Sequence, residues 1–327
     1  MKSNPIPAAL LLALLCSVLP ATAQSKDLVA DIIAKLPAGV WEEYRRLNAE
    51  ETRYAEWKDS DRMLALKLNQ LAYVNKSRAA FHASPVILDI LASRVANRMC
   101  REAGENGFSG HWNMRGEKPY QRWAFAGGMD HVSENAAARW SSASLEANDG
   151  DYVQYMNASH DSFMAEKAPN DGHKQTVIRK EHTGVGLGAA VVGKQFRYYE
   201  EYLDRYLAFG PVPSEPRTGD LTIKVKPLDA KKVVYAVVVY YEPLPAAMSV
   251  QQINAKSSYP DFTDQTVQDL WPWELKKGAD GFWDVPLKLA RTGSYYVQVY
   301  LDDKPFTGGS AGTEGKIQGS GLVLLVR

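Results

Sequence analysis

Two histidines in this 327-residue chain stand where chemistry is easier to do than packing. His111 closes a glycine-rich stretch that begins at Gly104, and His173 follows Pro169-Asn170-Asp171-Gly172, a strong turn signal. Neither lies on an apolar helical stripe. Two neutral imidazoles can bind a borderline metal such as Zn²⁺, and carboxylates can complete the shell or hold its water. With two histidine ligands, positions stay open for water, whose pKa a metal lowers to roughly 7, giving a hydroxide for hydrolysis. A neighbouring glutamate would then be the general base. Without a metal the same groups can still share protons, and the case for hydrolysis weakens. From the residues alone it stays open whether the two histidines share a site.

The chain has 6 histidines in all. His82 precedes Ser84-Pro85 and reads as a surface residue. His131, three positions before Glu134, is a candidate to support a metal ligand from behind. His160 falls on a helical segment, in contact with solvent or core, and His182 flanks a glycine-rich strand and is a candidate for a cavity rim. Three strings imitate known motifs without their context. Gly308-Gly-Ser310-Ala-Gly312 has nucleophile-elbow spacing in a glycine-rich loop among strands, not between a strand and a helix. Gly184-Val-Gly186-Leu-Gly188-Ala189 fits a loose dinucleotide fingerprint but leads into a hairpin, so a phosphate would meet no helix N-terminus. Asn75-Lys-Ser77 and Asn157-Ala-Ser159 are sequons that matter only in a eukaryotic secretory host.

The elements that must position these groups can be read from the hydrophobic pattern. Leu28, Ile32, Ile33 and Leu36 recur at helical spacing up to Pro37, and Trp41 to Trp57 reads as a second, charged helix covering one side of the next domain. Leu64, Leu68, Leu71 and Val74 form a stripe. Ser84-Pro85 reads as a cap and first-turn proline for a helix from about Val86 to Ala103. Residues 111–150 look irregular, and Asp151 to Lys167 is a third helix candidate. From Gly184 the pattern turns strand-like: Val185, Leu187 and Ala189, a Gly193-Lys194 turn, then Phe196 to Tyr206. Pro211, Pro213 and Pro216 mark a linker. Beyond it the period is close to 2, in Leu221–Val225, Val233–Tyr241, Trp283–Leu287, Tyr295–Val299 and Leu322–Val326. Helices followed by a hairpin suggest a layered α+β domain. The short strands after them suggest a β-sandwich of immunoglobulin or fibronectin type. Trp271-Pro-Trp273 falls in a loop of that region and, if exposed, is a candidate carbohydrate or protein contact.

Composition narrows the class. Lys+Arg and Asp+Glu are both 38, so no bulk charge draws the chain to nucleic acid or an anionic membrane. Lys2, the apolar run Ala8–Leu19 and Ala21-Thr22-Ala23 read as a signal peptide cut before Gln24, which implies a secreted or periplasmic protein. Cys16 opens a lipoprotein alternative, against which Leu15 stands where a small residue is usual. No later stretch is apolar enough to span a membrane. Removal of the leader leaves Cys100, on the apolar face of Leu88, Leu91, Val95 and Met99, as an inert core thiol without an intrachain partner. The division expected is therefore 1–23 signal peptide, 24–60 helical extension, 61–210 α+β domain, 211–219 linker and 220–327 β-sandwich.

Read in order, residues 69–205 resemble the bacterial form of the CAP superfamily, the SCP/PR-1/Ag5 fold. Asn75-Lys-Ser-Arg78 with Leu88-Asp89 and Leu91–Ala96 resembles its opening helices, and Gly110-His111 with Gly116 and Arg122 its first histidine segment. Ser133-Glu134-Asn135-Ala136 resembles the Gly-Glu-Asn-Ile box, with Ser133 in place of glycine. Phe163-Met-Ala-Glu166 and Asn170-Asp-Gly-His173 resemble the second Glu/His segment, and Thr183-Gly-Val-Gly-Leu-Gly188 the Val-Gly-Val-Gly strand. The resemblance implies an α-β-α sandwich in which His111, Glu134, Glu166 and His173 converge on one cavity. His111 and His173 would be ligands of a divalent metal, zinc foremost, and Glu134 or Glu166 a general base. The function implied is binding of a metal and an extracellular ligand, whether peptide, glycan or lipid, with the β-sandwich as an interaction module. The alternatives are a metal-assisted extracellular hydrolase or peptidase, and sterol or lipid binding. The disulfides of eukaryotic relatives cannot form here.

Overall fold

The computed structural model describes residues 28–213, 215–256, 258–259, 265–309 and 312–327. The signal peptide expected at 1–23, Cys16 with it, and Ser310 of the elbow-like string lie outside the described residues. In chain order the helices are α1 (Leu28–Lys35), α2 (Val40–Glu50), α3 (Asp61–Ala80), α4 (Ile90–Asn106), α5 (Pro119–Phe125), α6 (Asp149–Met164), α7 (Gly172–Ile178) and α8 (Val250–Asn254). The first strands are β1 (Ile87–Leu88), β2 (His131–Trp140), β3 (Gly184–Val192), β4 (Gln195–Asp204), β5 (Leu207–Phe209), β6 (Gly219–Pro227) and β7 (Val233–Glu242). They are followed by β8 (Thr266–Leu270), β9 (Lys276–Lys277), β10 (Trp283–Leu289), β11 (Gly293–Asp302), β12 (Ile317–Gln318) and β13 (Leu322–Val326). The protein is α+β, as its sequence predicts, and groups into two compact units, 28–110 with 134–202, and 111–133 with 203–327.

The first unit is a three-layer sandwich around a sheet of order β1-β3-β4-β2. Strand alternation decides which helix goes where. Val185 and Leu187 of β3 and Phe196, Tyr198 and Tyr202 of β4 share one apolar cluster with Leu64, Leu68 and Leu71 of α3 and Met156 and Phe163 of α6. Each such aliphatic side chain, fully buried, contributes about 1.5–3 kcal/mol. Gly186 and Gly188 point to the opposite face, where α4 lies so close that a Cβ on either would come within 2.4 Å of the Ala92 or Ala96 carbonyl carbon. The glycine series that imitates a dinucleotide fingerprint is thus a helix-docking surface.

Two local expectations are corrected. The second long helix starts at Ile90, not Val86, because the Asp89 side chain accepts the Ala92 N–H at 2.8 Å and so is the N-cap. Residues 86–89 instead join the sheet: Ile87 and Leu88 run parallel to Gly184 and Val185, and Asn75 bonds both the N–H and the carbonyl of Val86. The stretch 111–150 is not irregular but carries α5 and β2, and α7 follows the Pro169 turn unforeseen. The lead-in places Leu28, Ile32, Val40 and Tyr44 in the core, but its second helix stops at Glu50 instead of running to Trp57, because Glu51 turns extended and only a single short turn forms at Ala55–Trp57. Buried Arg94 of α4 ties it down, donating to the carbonyls of Asn48 (2.7 Å), Glu51 (2.9 Å) and Arg53 (2.7 Å) just where α2 runs out of its own partners.

The second unit holds two antiparallel sheets, β5-β6-β10-β9 and β12-β11-β7-β8, with β13 also on β11. Ile223, Val225, Val285 and Leu287 of one meet Val237, Val239, Val297 and Val299 of the other in a single cluster, so this part is β-sandwich-like. On the outer side of β11, Tyr120 of α5 stacks on Tyr296 at 4.5 Å, and Lys118, Tyr120 and Gln121 all donate to the buried carboxylate of Glu242. Among the described residues no helix is long and apolar enough to cross a membrane.

Candidate functional site

Glu166 and His173 are brought together by the turn between α6 and α7. Glu166 lies two residues beyond α6, and its Oε2 accepts the backbone N–H of His173 at 2.9 Å and of Lys174 at 3.4 Å. These are first-turn donors of α7 with no partner inside the helix, so the carboxylate anchors the start of α7. Its other oxygen, Oε1, meets His173 Nδ1 at 2.5 Å. Phe163 lies under the imidazole at 5.0 Å and 24°, and Asn135 Nδ2 donates to the His173 carbonyl at 3.0 Å. The ring is therefore fixed by a carboxylate, an aromatic face and its own backbone, yet its side chain keeps 33% exposure and that of Glu166 24%. With Nδ1 donating to a carboxylate, the neutral ring carries its acceptor lone pair on Nε2. The pair can accept or relay a proton, or take a hydrogen bond from a polar ligand.

A fully buried polar cluster lies beneath. Phe163 also stacks on Tyr198, whose hydroxyl donates to Glu200 Oε1 at 2.8 Å. Tyr202 donates to Glu200 Oε2 at 2.8 Å, and His160 Nδ1 meets Oε1 at 2.8 Å. Burial pushes the Glu200 carboxyl up, but the His160 charge and hydrogen bond and the two phenols outweigh it and hold the group below its ordinary value. Burial first, then the Glu200 charge, push both tyrosines well above their ordinary value. His182 stacks on Tyr202 at 4.9 Å. Sequence reasoning missed Glu200. The signal was the alternation Tyr198, Glu200, Tyr202 on one strand face, which puts a carboxylate between two phenols.

Glu134 is buried on β2. Because Asn135 turns toward His173, strand alternation sends the Glu134 side chain to the opposite face. There burial raises the Cys100 thiol above its ordinary value and the Glu134 charge adds to that shift, which suits an inert core thiol. His111 belongs to the second unit, where its ring lies 4.7 Å from that of Tyr259 and its carbonyl accepts Arg122 Nη1 at 2.6 Å. His131 pairs through Nδ1 with buried Asp204 at 2.9 Å. His160 is a core residue, and His82 is exposed with φ 56°. Among the described residues no three His, Cys, Asp or Glu side chains come together closely enough to hold a metal ion. His173 and Glu166 are two donors already bonded to each other, a set that does not fit a resident zinc ion as it stands.

No protein-family model matches the chain, and no curated protein does. Among solved structures, an extracellular protein containing an SCP domain from Bacillus anthracis str. Ames is 16% identical over 42% of this chain, with a TM-score of 0.32. The match spans 39% of that chain. An outer surface protein of Borrelia burgdorferi is 16% identical over 41% of this chain and 89% of its own, with a TM-score of 0.30.

Proposed function

We propose that this is an exported CAP/SCP-type binding protein whose first unit meets its ligand at the Glu166–His173 pair, with the second unit as an interaction module. The family reading rests on the ordered motifs from Asn75 to Gly188, and export on the leader pattern of residues 1–23. One observation carries the site: an imidazole locked by a carboxylate at 2.5 Å that keeps a third of its surface open to solvent. Structural histidines are usually buried with their partners, as His131 and His160 are here. A ring held in one orientation binds at low entropic cost, and its Nε2 suits the hydroxyl or amide N–H of a peptide, glycan or lipid headgroup.

Hydrolysis is the second reading, because a carboxylate-oriented imidazole is also what activates a water as general base. In that role Glu166 positions the ring and stabilises the imidazolium while His173 takes the proton. A divalent ion would need donors beyond this pair, supplied by ligand or water.

The test uses the chain from Gln24 onward, probed by NMR with a peptide library, cell-wall glycan fragments and fatty acids. Binding that shifts the His173 ring and is lost in His173→Ala, with the fold retained, is expected. Binding unchanged in both His173→Ala and Glu166→Gln would overturn the assignment.

A further inference from the structure

We propose that Trp271, Trp273 and Phe306 of the second unit form a stacking platform for a neutral, β-linked glycan. Trp273 is 60% exposed, the most open large apolar side chain among those of the described residues. Such a residue is unremarked when single, but here it belongs to a continuous strip. The Trp271 and Trp273 ring centroids are 6.1 Å apart with 25° between the ring planes, and Phe306 lies 4.6 Å from the first and 5.8 Å from the second. Tyr235 continues the strip at 5.5 Å from Phe306, with Lys316 Nζ over its ring at 4.6 Å.

The strip is set in place before any ligand arrives. Pro272 fixes the backbone between the two indoles, and the Trp271 N–H donates to Glu274 Oε2 at 2.9 Å, closing the turn. Phe306 and Trp271 are half-buried against Tyr235 and Tyr300, so only part of each ring is open. A ligand therefore meets flat faces that lose little freedom on contact.

The chemistry points to sugar. Aromatic faces carry negative charge density and attract the C–H face of a pyranose. In β-linked chains that face is flat and the hydroxyls leave from its edge. At the Tyr235 end stand Lys316, bonded to Asp302, and Lys232, paired with Asp303 at 2.8 Å. Two lysines against two aspartates give hydroxyls both donors and acceptors with no net charge, which favours a neutral polymer over an anionic one. The inference gives the proposed interaction module its ligand class and owes nothing to the Glu166–His173 site.

The test is tryptophan fluorescence of the chain from Gln24 onward, titrated with chitohexaose and with cellohexaose, with sedimentation velocity alongside. Saturable binding of at least one oligosaccharide is expected, weakened by about tenfold or more in Trp273→Ala, with an unchanged thermal midpoint. Trp271→Phe should weaken it less. No binding by either sugar at millimolar concentration overturns the proposal. So does affinity that survives Trp273→Ala, or that falls instead in His173→Ala, which would move the sugar to the first unit. Self-association abolished by Trp273→Ala in the absence of sugar binding would overturn it too, and would identify the strip as a protein contact.

Discussion

The Glu166 carboxylate grips His173 twice, by the ring at Nδ1 (2.5 Å) and by the backbone N–H (2.9 Å). One side chain thus starts a helix and sets the orientation of an imidazole. Changing it should therefore show in stability and in ring behaviour together. Glu166→Ala removes an acceptor from the first turn of α7 and should cost about 1–2 kcal/mol, the range of a lost cap. Urea denaturation of the variant measures this, and a loss near zero would mean α7 does not depend on the carboxylate.

Glu200 makes the fold sensitive to acid. Its carboxyl is held below the ordinary value of 4.5 in the folded state, so it contributes stability above that value and loses it as pH falls through the folded value. As pH falls below 4.5 the native protein should lose stability that Glu200→Gln does not lose, while the variant starts lower at neutral pH. Parallel pH profiles for the two proteins would remove Glu200 from the acid response.

Arg94 fastens the lead-in to the first unit. Arg94→Met keeps the apolar stem and leaves the Asn48, Glu51 and Arg53 carbonyls without their guanidinium donor. Hydrogen bonds from a charged donor are worth about 1.5–3 kcal/mol each, so a loss of about 3 kcal/mol or more is expected. Amide exchange should quicken first around residues 45–55. Uniform exchange across the unit would show that the tether is not local.

Gly186 and Gly188 set how closely α4 approaches β3. Alanine at either would place its Cβ within 2.4 Å of α4 backbone, and overpacking of this kind costs about 1–3 kcal/mol or more. Gly172→Ala is the control, since nothing lies within 4 Å of a Cβ there, and it should stay within about 0.5 kcal/mol of the parent. Equal effects at all three positions would contradict the docking role.

Much of this fold was legible because its signals are local. The β3–β4 hairpin announces itself through Gly193-Lys194 between alternating strands, and the long strands of the second unit through period-2 valines. What stayed hidden depends on distant partners. Ser84-Pro85 is a good helix start in isolation, but Asn75, eleven residues before Val86, and Gly184, far downstream, claim residues 86–88 for the sheet. β2 is poor in β-branched residues, and only its place beside β4 makes it a strand. At the site, Glu166 and His173 entered through one segment of the family resemblance, as candidate base and metal ligand, and the grip of the carboxylate on the ring was not foreseen. The face taken by Glu134 was not, because it depends on the register of a strand the sequence does not reveal.

The most direct test of the proposed binding site is the tautomer of His173, read by NMR on protein carrying nitrogen-15 histidine. The neutral ring should carry its proton on Nδ1, with an Nε2 resonance that moves when a probe from the peptide, glycan or fatty-acid panel binds. Glu166→Gln should lose that preference. A ring protonated at Nε2, or one whose resonances ignore every ligand that binds the protein, would contradict the proposed site.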